Sequence, residues 1–205
     1  MAHFYLVRHA ESVANTHPER VGGRSNHSPL TERGKAQARQ LGKFVREYDI
    51  QYDRVLSSPA KRTLATAKYA FNRTGRDIIV LNKLQEISQG IAEGMPRVEV
   101  YTPEVLAMIE KKGRDFAMPG GESTRQVGAR MLKCLSRVAD WASDEVPHMV
   151  VTHGTAIKSL VAELEDRSQQ WIYAAPMPNA SLTHVEIRGL EGVVHDYARD
   201  TQRDD

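Results

Sequence analysis

Cysteine is nearly absent from this chain: Cys134 is the sole one among 205 residues. An internal disulfide is thereby excluded, and the setting between Leu132 and Leu135 predicts a buried structural thiol in a cytoplasmic protein. Long apolar runs are missing too. No stretch approaches the eighteen or so apolar residues of a membrane span, and no basic segment leads into an apolar one near the start. A soluble chain without a targeting address is expected. Charge of one sign does not dominate, since 28 Lys and Arg against 26 Asp and Glu leave a net +2. The two signs interleave, so no basic stripe supports nucleic-acid binding despite a pI near 8.7. Any bound anion must be held by local groups. Repeats, low-complexity tracts and glycine-serine linkers are likewise lacking. What is present, with 40% hydrophobic residues, suffices for one core, so a single domain over 1–205 is expected.

The strongest positive signal is Phe4-Tyr5-Leu6-Val7, an apolar run that reads as a strand buried on both faces and hands Arg8 and His9 to the turn beyond it. The crevice outside the carboxyl ends of strands is where open α/β sheets bind ligands. Taken alone, Arg8 would read as a solvated charge and His9 as a surface histidine. Residues 13–29, rich in Gly, Pro and small polar types, read as a long loop of functional character, in which Arg24 and His27 either face a site or are solvated. Thr31 caps a helix predicted over 31–48, with Gly34, Ala38, Leu41, Val45 and Tyr48 on one face. A short strand over 52–57 follows, and Ser58-Pro59 opens a second helix with Ala60, Leu64, Ala67 and Phe71 inward. Arg62 falls in its first turn, where a cation opposes the helix dipole but could share an anion with the free N–H groups.

Residues 78–81 read as a third buried strand leading into Leu84-Gln85-Glu86-Ile87. Seven glycines and prolines between 91 and 121 surround one amphipathic piece at 98–110, a composition that suits an inserted lid. A helix over 123–142 carries Val127, Met131, Leu135, Val138 and Ala142 on one face. A fourth strand over 148–152 ends in His153-Gly154-Thr155, repeating the opening plan of buried strand, histidine, turn and helix, so His9 and His153 should converge. A short helix around Trp171, a hairpin-like pair at 181–187 and 193–197, and a frayed tail from Arg199 complete the chain. The alternation predicts an α/β fold, a three-layer sandwich around a mostly parallel central sheet.

Arg8, His9, Arg62, Glu86 and His153 all lie at predicted strand ends or helix starts. Two arginines, two histidines and one carboxylate make a phosphoryl-transfer site without a metal. Guanidinium forks match phosphate oxygens and the charge spread over them in the transition state. A neutral imidazole, favoured beside arginines, can attack phosphorus, and a carboxyl group can protonate the departing oxygen.

The ordered set Leu6-Val7-Arg8-His9-Ala10-Glu11-Ser12 with Asn15, Ser58-Pro59 with Arg62-Thr63 and Thr66, Leu84-Gln85-Glu86-Ile87 with Gly90 and Glu93-Gly94, Gly120-Gly121-Glu122-Ser123, and Val151-Thr152-His153-Gly154 resembles the histidine phosphatase superfamily, in its cofactor-dependent phosphoglycerate mutase branch. The match runs in the family's order over about residues 4–187. The resemblance implies His9 as the phosphorylated nucleophile, Arg8, Arg62 and His153 as ligands of the transferred group, Asn15 beside it, and Glu86 as the acid. It also places Gly23, Arg24, Gln89, Gly154 and Thr155 along the substrate pocket. His27 stands where the family commonly has aspartate, and Ala92 where many members have an aromatic, which bears on substrate and not on chemistry.

The expected activity is a metal-independent phosphomonoesterase acting on a small phosphorylated metabolite, with no cofactor, nucleic acid or membrane as partner; a homodimer stands open. The alternatives are mutase-type transfer, a non-catalytic phospho-ligand binder of the same fold, and a zinc hydrolase using His3, His9, His27, His148, His153 and Asp53. No compact ligand spacing such as His-Glu-x-x-His favours the last. A modest insert favours water over a second hydroxyl as acceptor.

Overall fold

The structure, a computed structural model, describes residues 2–71, 77–140 and 146–202. Six strands form one sheet in the order β3-β2-β4-β1-β5-β6. They are β1 (Ala2–Arg8), β2 (Val55–Ser57), β3 (Ile78–Val80), β4 (His148–Thr152), β5 (Leu182–Arg188) and β6 (Glu191–Arg199). The first four pair in parallel, and β5 and β6 add an antiparallel margin.

Period-two alternation along the strands sorts side chains into two cores. Phe4 and Leu6 of β1, Val150 of β4 and Val185 and Ile187 of β5 face α5 (Thr124–Ala139) and α6 (Gly154–Leu164). Tyr5 and Val7, Met149 and Val151, and Leu182 face α1 (Glu32–Glu47) and α2 (Lys61–Phe71) on the other side. The result is the three-layer α/β architecture expected. Truncating a fully buried side chain such as Leu6 or Leu135 to alanine should cost about 2–5 kcal/mol.

Helix boundaries follow capping chemistry. Thr31 Oγ1 accepts from Gly34 N at 2.9 Å, and Ser123 with Gln126 forms a reciprocal capping box for α5. Gly34 is also a contact requirement, because a Cβ there would lie 1.9 Å from the Glu11 carbonyl oxygen. The start of α1 thereby packs directly on the turn that follows β1.

Several expectations are corrected. The third strand is not buried: β3 is the sheet edge, with Val80 48% exposed, and an apolar run alone does not tell an edge from a centre. The second strand begins at Val55, not at 52. The piece at 98–110 is two helices, α3 (Arg97–Val100) and α4 (Pro103–Lys112), because Thr102 and Pro103 cap and start a new one. Cys134 is half-buried beside the α5 core stripe. The tail is tied down as far as Gln202: Thr201 is buried and donates to the Ala180 carbonyl, and the Arg199 guanidinium lies over the Phe44 and Tyr48 rings. The expected helix residues beyond Asp140, Ala142 among them, lie outside the described residues.

Segment 91–121 covers a small core of its own, Val21, Ala92, Val100 and Met118. It is laced to the first long loop by backbone bonds, Val21 N to Met95 O, Gly94 N to Val21 O and Arg97 N to Glu19 O, at 2.8–2.9 Å. Among the described residues no helix is long and apolar enough to cross a membrane.

Candidate active site

The turn after β1, the start of α2 and the start of α6 meet at one cavity of about 380 Å³. Arg8, His9, Asn15, Gly23, Arg62, Glu86, Gln89, Gly154 and Thr155 line it. His153 stands behind Arg62, fully buried. Arg24 serves the site only through its backbone: its carbonyl accepts from Arg62 Nη2 at 3.0 Å, while its guanidinium turns to Glu122 at 3.4 Å. His27 is exposed and lies outside the lining.

Partners determine the tautomers of the two histidines. His9 Nδ1 lies 2.8 Å from the Ala10 carbonyl oxygen, so Nδ1 carries the hydrogen and Nε2 keeps its lone pair. Arg62 Nε donates to that Nε2 at 3.2 Å, and Arg62 Nη2 donates to His153 Nδ1 at 3.0 Å. His153 Nε2–H then donates to Ser58 Oγ at 2.8 Å. The two rings stand edge to face with centroids 5.2 Å apart. Both are held neutral. Burial depresses the His9 pKa well below the ordinary range, with the Arg62 and Arg8 charges adding to it. Burial followed by Arg62 does the same for His153.

Arg62 is aimed by carbonyls, not carboxylates: Ser25 O at 2.7 Å and Arg24 O at 3.0 Å hold its fork. Thr66 Oγ1 accepts from Ala10 N at 3.0 Å and donates to Arg62 O, joining the β1 turn to α2. Arg8 donates through Nη1 to the Met177 carbonyl, but its buried Nε finds no partner among the described residues. A Cβ on Gly154 would come within 3.2 Å of that Nε, so glycine keeps the approach open. An unmet guanidinium donor at the cavity wall is suited to an anion oxygen. Asn15 Oδ1 is taken by Ser12 N and Oγ, which leaves its amide nitrogen to meet a ligand.

Glu86 is fastened across the α6 N-terminus. Its Oε1 accepts from Ala156 N at 3.0 Å and Ile87 N at 2.9 Å, and its Oε2 from Thr155 N at 3.1 Å. Arg130 Nη2 donates to the Glu86 carbonyl at 3.1 Å, and Arg130 Nε pairs with Glu122 Oε1 at 2.8 Å. Burial raises the Glu122 pKa, yet the Arg130 and Ser88 N–H bonds outweigh it and leave the group below its usual value. Glu93 is a second hub, its Oε1 accepting from Gln89 N and Arg24 N.

Among the lining residues not singled out from the sequence are Arg97 and Tyr101 from the 91–121 segment, Lys158 on α6, and Tyr173 on α7 (Gln169–Ala174). Burial lowers the Lys158 pKa, and its Nζ reaches the Ala175 carbonyl at 3.4 Å. Arg97, Lys158 and Tyr173 lie on helices, where a polar residue reads as solvated face, and Tyr101 follows α3 directly, so no local signal marked them.

Residues 4–200 match the family model described as histidine phosphatase superfamily (branch 1). The chain is 31% identical over 191 residues to the probable phosphoglycerate mutase GpmB of Yersinia pestis, covering 92% of this chain and 86% of that one. The solved structure of Bacillus stearothermophilus YhfR superposes with a TM-score of 0.83 at 27% identity, covering 98% of each chain. A mycobacterial glucosyl-3-phosphoglycerate phosphatase shares the fold at a TM-score of 0.83 and 23% identity, over 98% of this chain and 100% of that chain.

Proposed function

The chain belongs to the histidine phosphatase superfamily, branch 1, and from that premise we propose that it hydrolyses a phosphate monoester of a small metabolite through a phosphohistidine on His9. The observation that carries this reading is the state of His9: buried, neutral, with Nδ1–H held by Ala10 O and the Nε2 lone pair turned toward the Arg62 guanidinium.

The entering phosphoryl group takes over the donors of Arg62 that rest on His9 Nε2 and His153 Nδ1, and adds the unmet Arg8 Nε. Nε2 is thereby released to attack phosphorus in line, and the P–O bond to the leaving group breaks. Charge on the three equatorial oxygens falls to Arg8, Arg62 and the Asn15 amide, and to His153 once its Nδ1 takes up a proton. Glu86 gives a proton to the leaving oxygen, then takes one from the water that attacks the phosphohistidine and releases inorganic phosphate. Its three N–H contacts hold it at the cavity wall for both turns. Residues 91–121, with the loop laced to them, form the mouth and act as lid and specificity element.

Brief incubation with ³²P-labelled substrate and a rapid quench tests the reading: label stable in alkali and labile in acid should sit on His9. Label surviving in His9→Ala overturns it. The likeness to a probable phosphoglycerate mutase favours the second reading, transfer to a hydroxyl. With 3-phosphoglycerate and a bisphosphoglycerate primer, phosphate release should outrun isomerisation; efficient isomerisation without release makes the chain a mutase.

A further inference from the structure

Imidazoles also cluster far from the cavity. His3 and His9 sit at opposite ends of β1, roughly 20 Å apart for a strand that rises about 3.3 Å per residue. His3 on β1 faces Glu186 on β5 across the antiparallel ladder, and His195 comes from the edge strand β6. His195 Nε2 lies 3.1 Å from Glu186 Oε2. One ligand atom from each of His3, Glu186 and His195 falls within 4.8 Å of the others. His184, two residues before Glu186 and on the same face, meets His3 Nδ1 through Nε2 at 3.2 Å, and its ring centroid is 4.8 Å from that of His195.

We propose that His3, Glu186 and His195 form a binding site for a borderline divalent transition ion, zinc foremost, with His184 orienting His3 from behind. Ligand atoms about 2.0–2.1 Å from one ion at near-tetrahedral angles stand about 3.3 Å apart. The His195 and Glu186 atoms already have about that spacing, and the third ligand, with all three atoms within 4.8 Å of one another, closes the set by a side-chain adjustment of up to about 1.5 Å. Two imidazoles with one carboxylate suit zinc, nickel or copper, whereas calcium and magnesium call for oxygen ligands. A polar atom on the ring that ligates, here the His184 nitrogen on His3, is the kind of outer contact that fixes a ligand histidine.

The placement also has a structural consequence. Each ligand comes from a different strand of the β1-β5-β6 margin, so one ion would clip the edge strand to the sheet interior. The site is partly exposed, with His195 outermost, and three protein ligands leave a position for water. It shares no residue with the cavity that holds His9.

Calorimetric titration of the metal-free full chain with zinc chloride tests this, with visible absorption of the cobalt complex as a second readout. One ion should bind per chain, magnesium should not compete, and cobalt should show the d–d bands of a low-coordinate site. His195→Ala and Glu186→Gln should each weaken zinc binding by about 10-fold or more, the scale on which even outer contacts of a metal act. His195→Ala should keep its activity on p-nitrophenyl phosphate, and His9→Ala should bind zinc as the wild type does. Zinc affinity unchanged in both His195→Ala and Glu186→Gln, absence of saturable binding in the wild type, or loss of binding in His9→Ala would each overturn the proposal.

Discussion

The two ends of the cavity are built differently. At the phosphate end, His9, Arg62 and His153 are 4%, 3% and 0% exposed, and each is locked by a partner inside the fold: the Ala10 carbonyl, the Ser25 carbonyl and the Ser58 hydroxyl. At the mouth, Arg97, Lys158 and Tyr173 come from three helices and Tyr101 from the C-cap of α3, Tyr173 is 54% exposed, and the 91–121 segment rests on a core of four buried apolar residues. The Arg97 guanidinium lies over the Tyr101 ring, 4.7 Å from its centroid. Groups that must meet one transition state are preorganised by burial and hydrogen bonding. On the proposed function the mouth meets the variable part of a substrate, and its 91–121 portion rests on shallow packing, which tolerates exchange without loss of the main core.

That contrast is broken most directly by removing the proposed nucleophile. His9→Ala should lower kcat/KM by roughly 10⁴- to 10⁶-fold on every substrate, measured by phosphate release; substantial residual turnover would place the nucleophile elsewhere. Glu86→Gln comes next. An alkyl alkoxide is a poor leaving group whereas nitrophenolate departs unaided, so single-turnover phosphorylation by alkyl phosphates should fall by on the order of 10²- to 10⁴-fold and that by p-nitrophenyl phosphate far less. Equal losses would make Glu86 a positioning group.

The inner end is sharpened by its pH response. His9 and His153 have folded pKa values depressed below the unfolded one, so the unfolded chain binds more protons as pH drops. Their contribution to stability is full above about pH 6.5 and is lost below it, by about 1.4 kcal/mol per pH unit for each group until its folded pKa is reached. Denaturant midpoints between pH 7 and pH 5 should show this slope, and His153→Asn should flatten it by one group; an unchanged slope would mean that the site titrates like solvent-exposed histidine. The smallest effect belongs to the mouth. Arg97→Ala should alter KM by about 3- to 10-fold for some members of a phosphorylated-metabolite panel and leave p-nitrophenyl phosphate turnover unchanged. A uniform loss in kcat would move Arg97 into the catalytic set.

The same division explains what could be read from residues alone. A strand buried on both faces leaves a continuous apolar run, so β1 and β4 announced themselves and carried His9 and His153 to their ends. Edge strand β3 has the same apolar composition but is only partly buried, and the tail from Arg199 looked polar yet packs on α1. The mouth left no trace, because Arg97, Lys158 and Tyr173 are separated by tens of residues and each reads as a helix surface.

By itself the sequence determined the layer order and the strand ends that bear Arg8, His9 and His153, since periodicity and capping are local properties of the chain. Only the tertiary structure decided which tautomer His9 holds, that Arg62 is aimed by the carbonyls of Ser25 and Arg24, that Glu86 is fastened to the start of α6, and that His3, Glu186 and His195 meet on one face. Those outcomes depend on contacts between residues far apart in the chain and on backbone groups that every residue carries alike, so no pattern of side chains along the sequence encodes them.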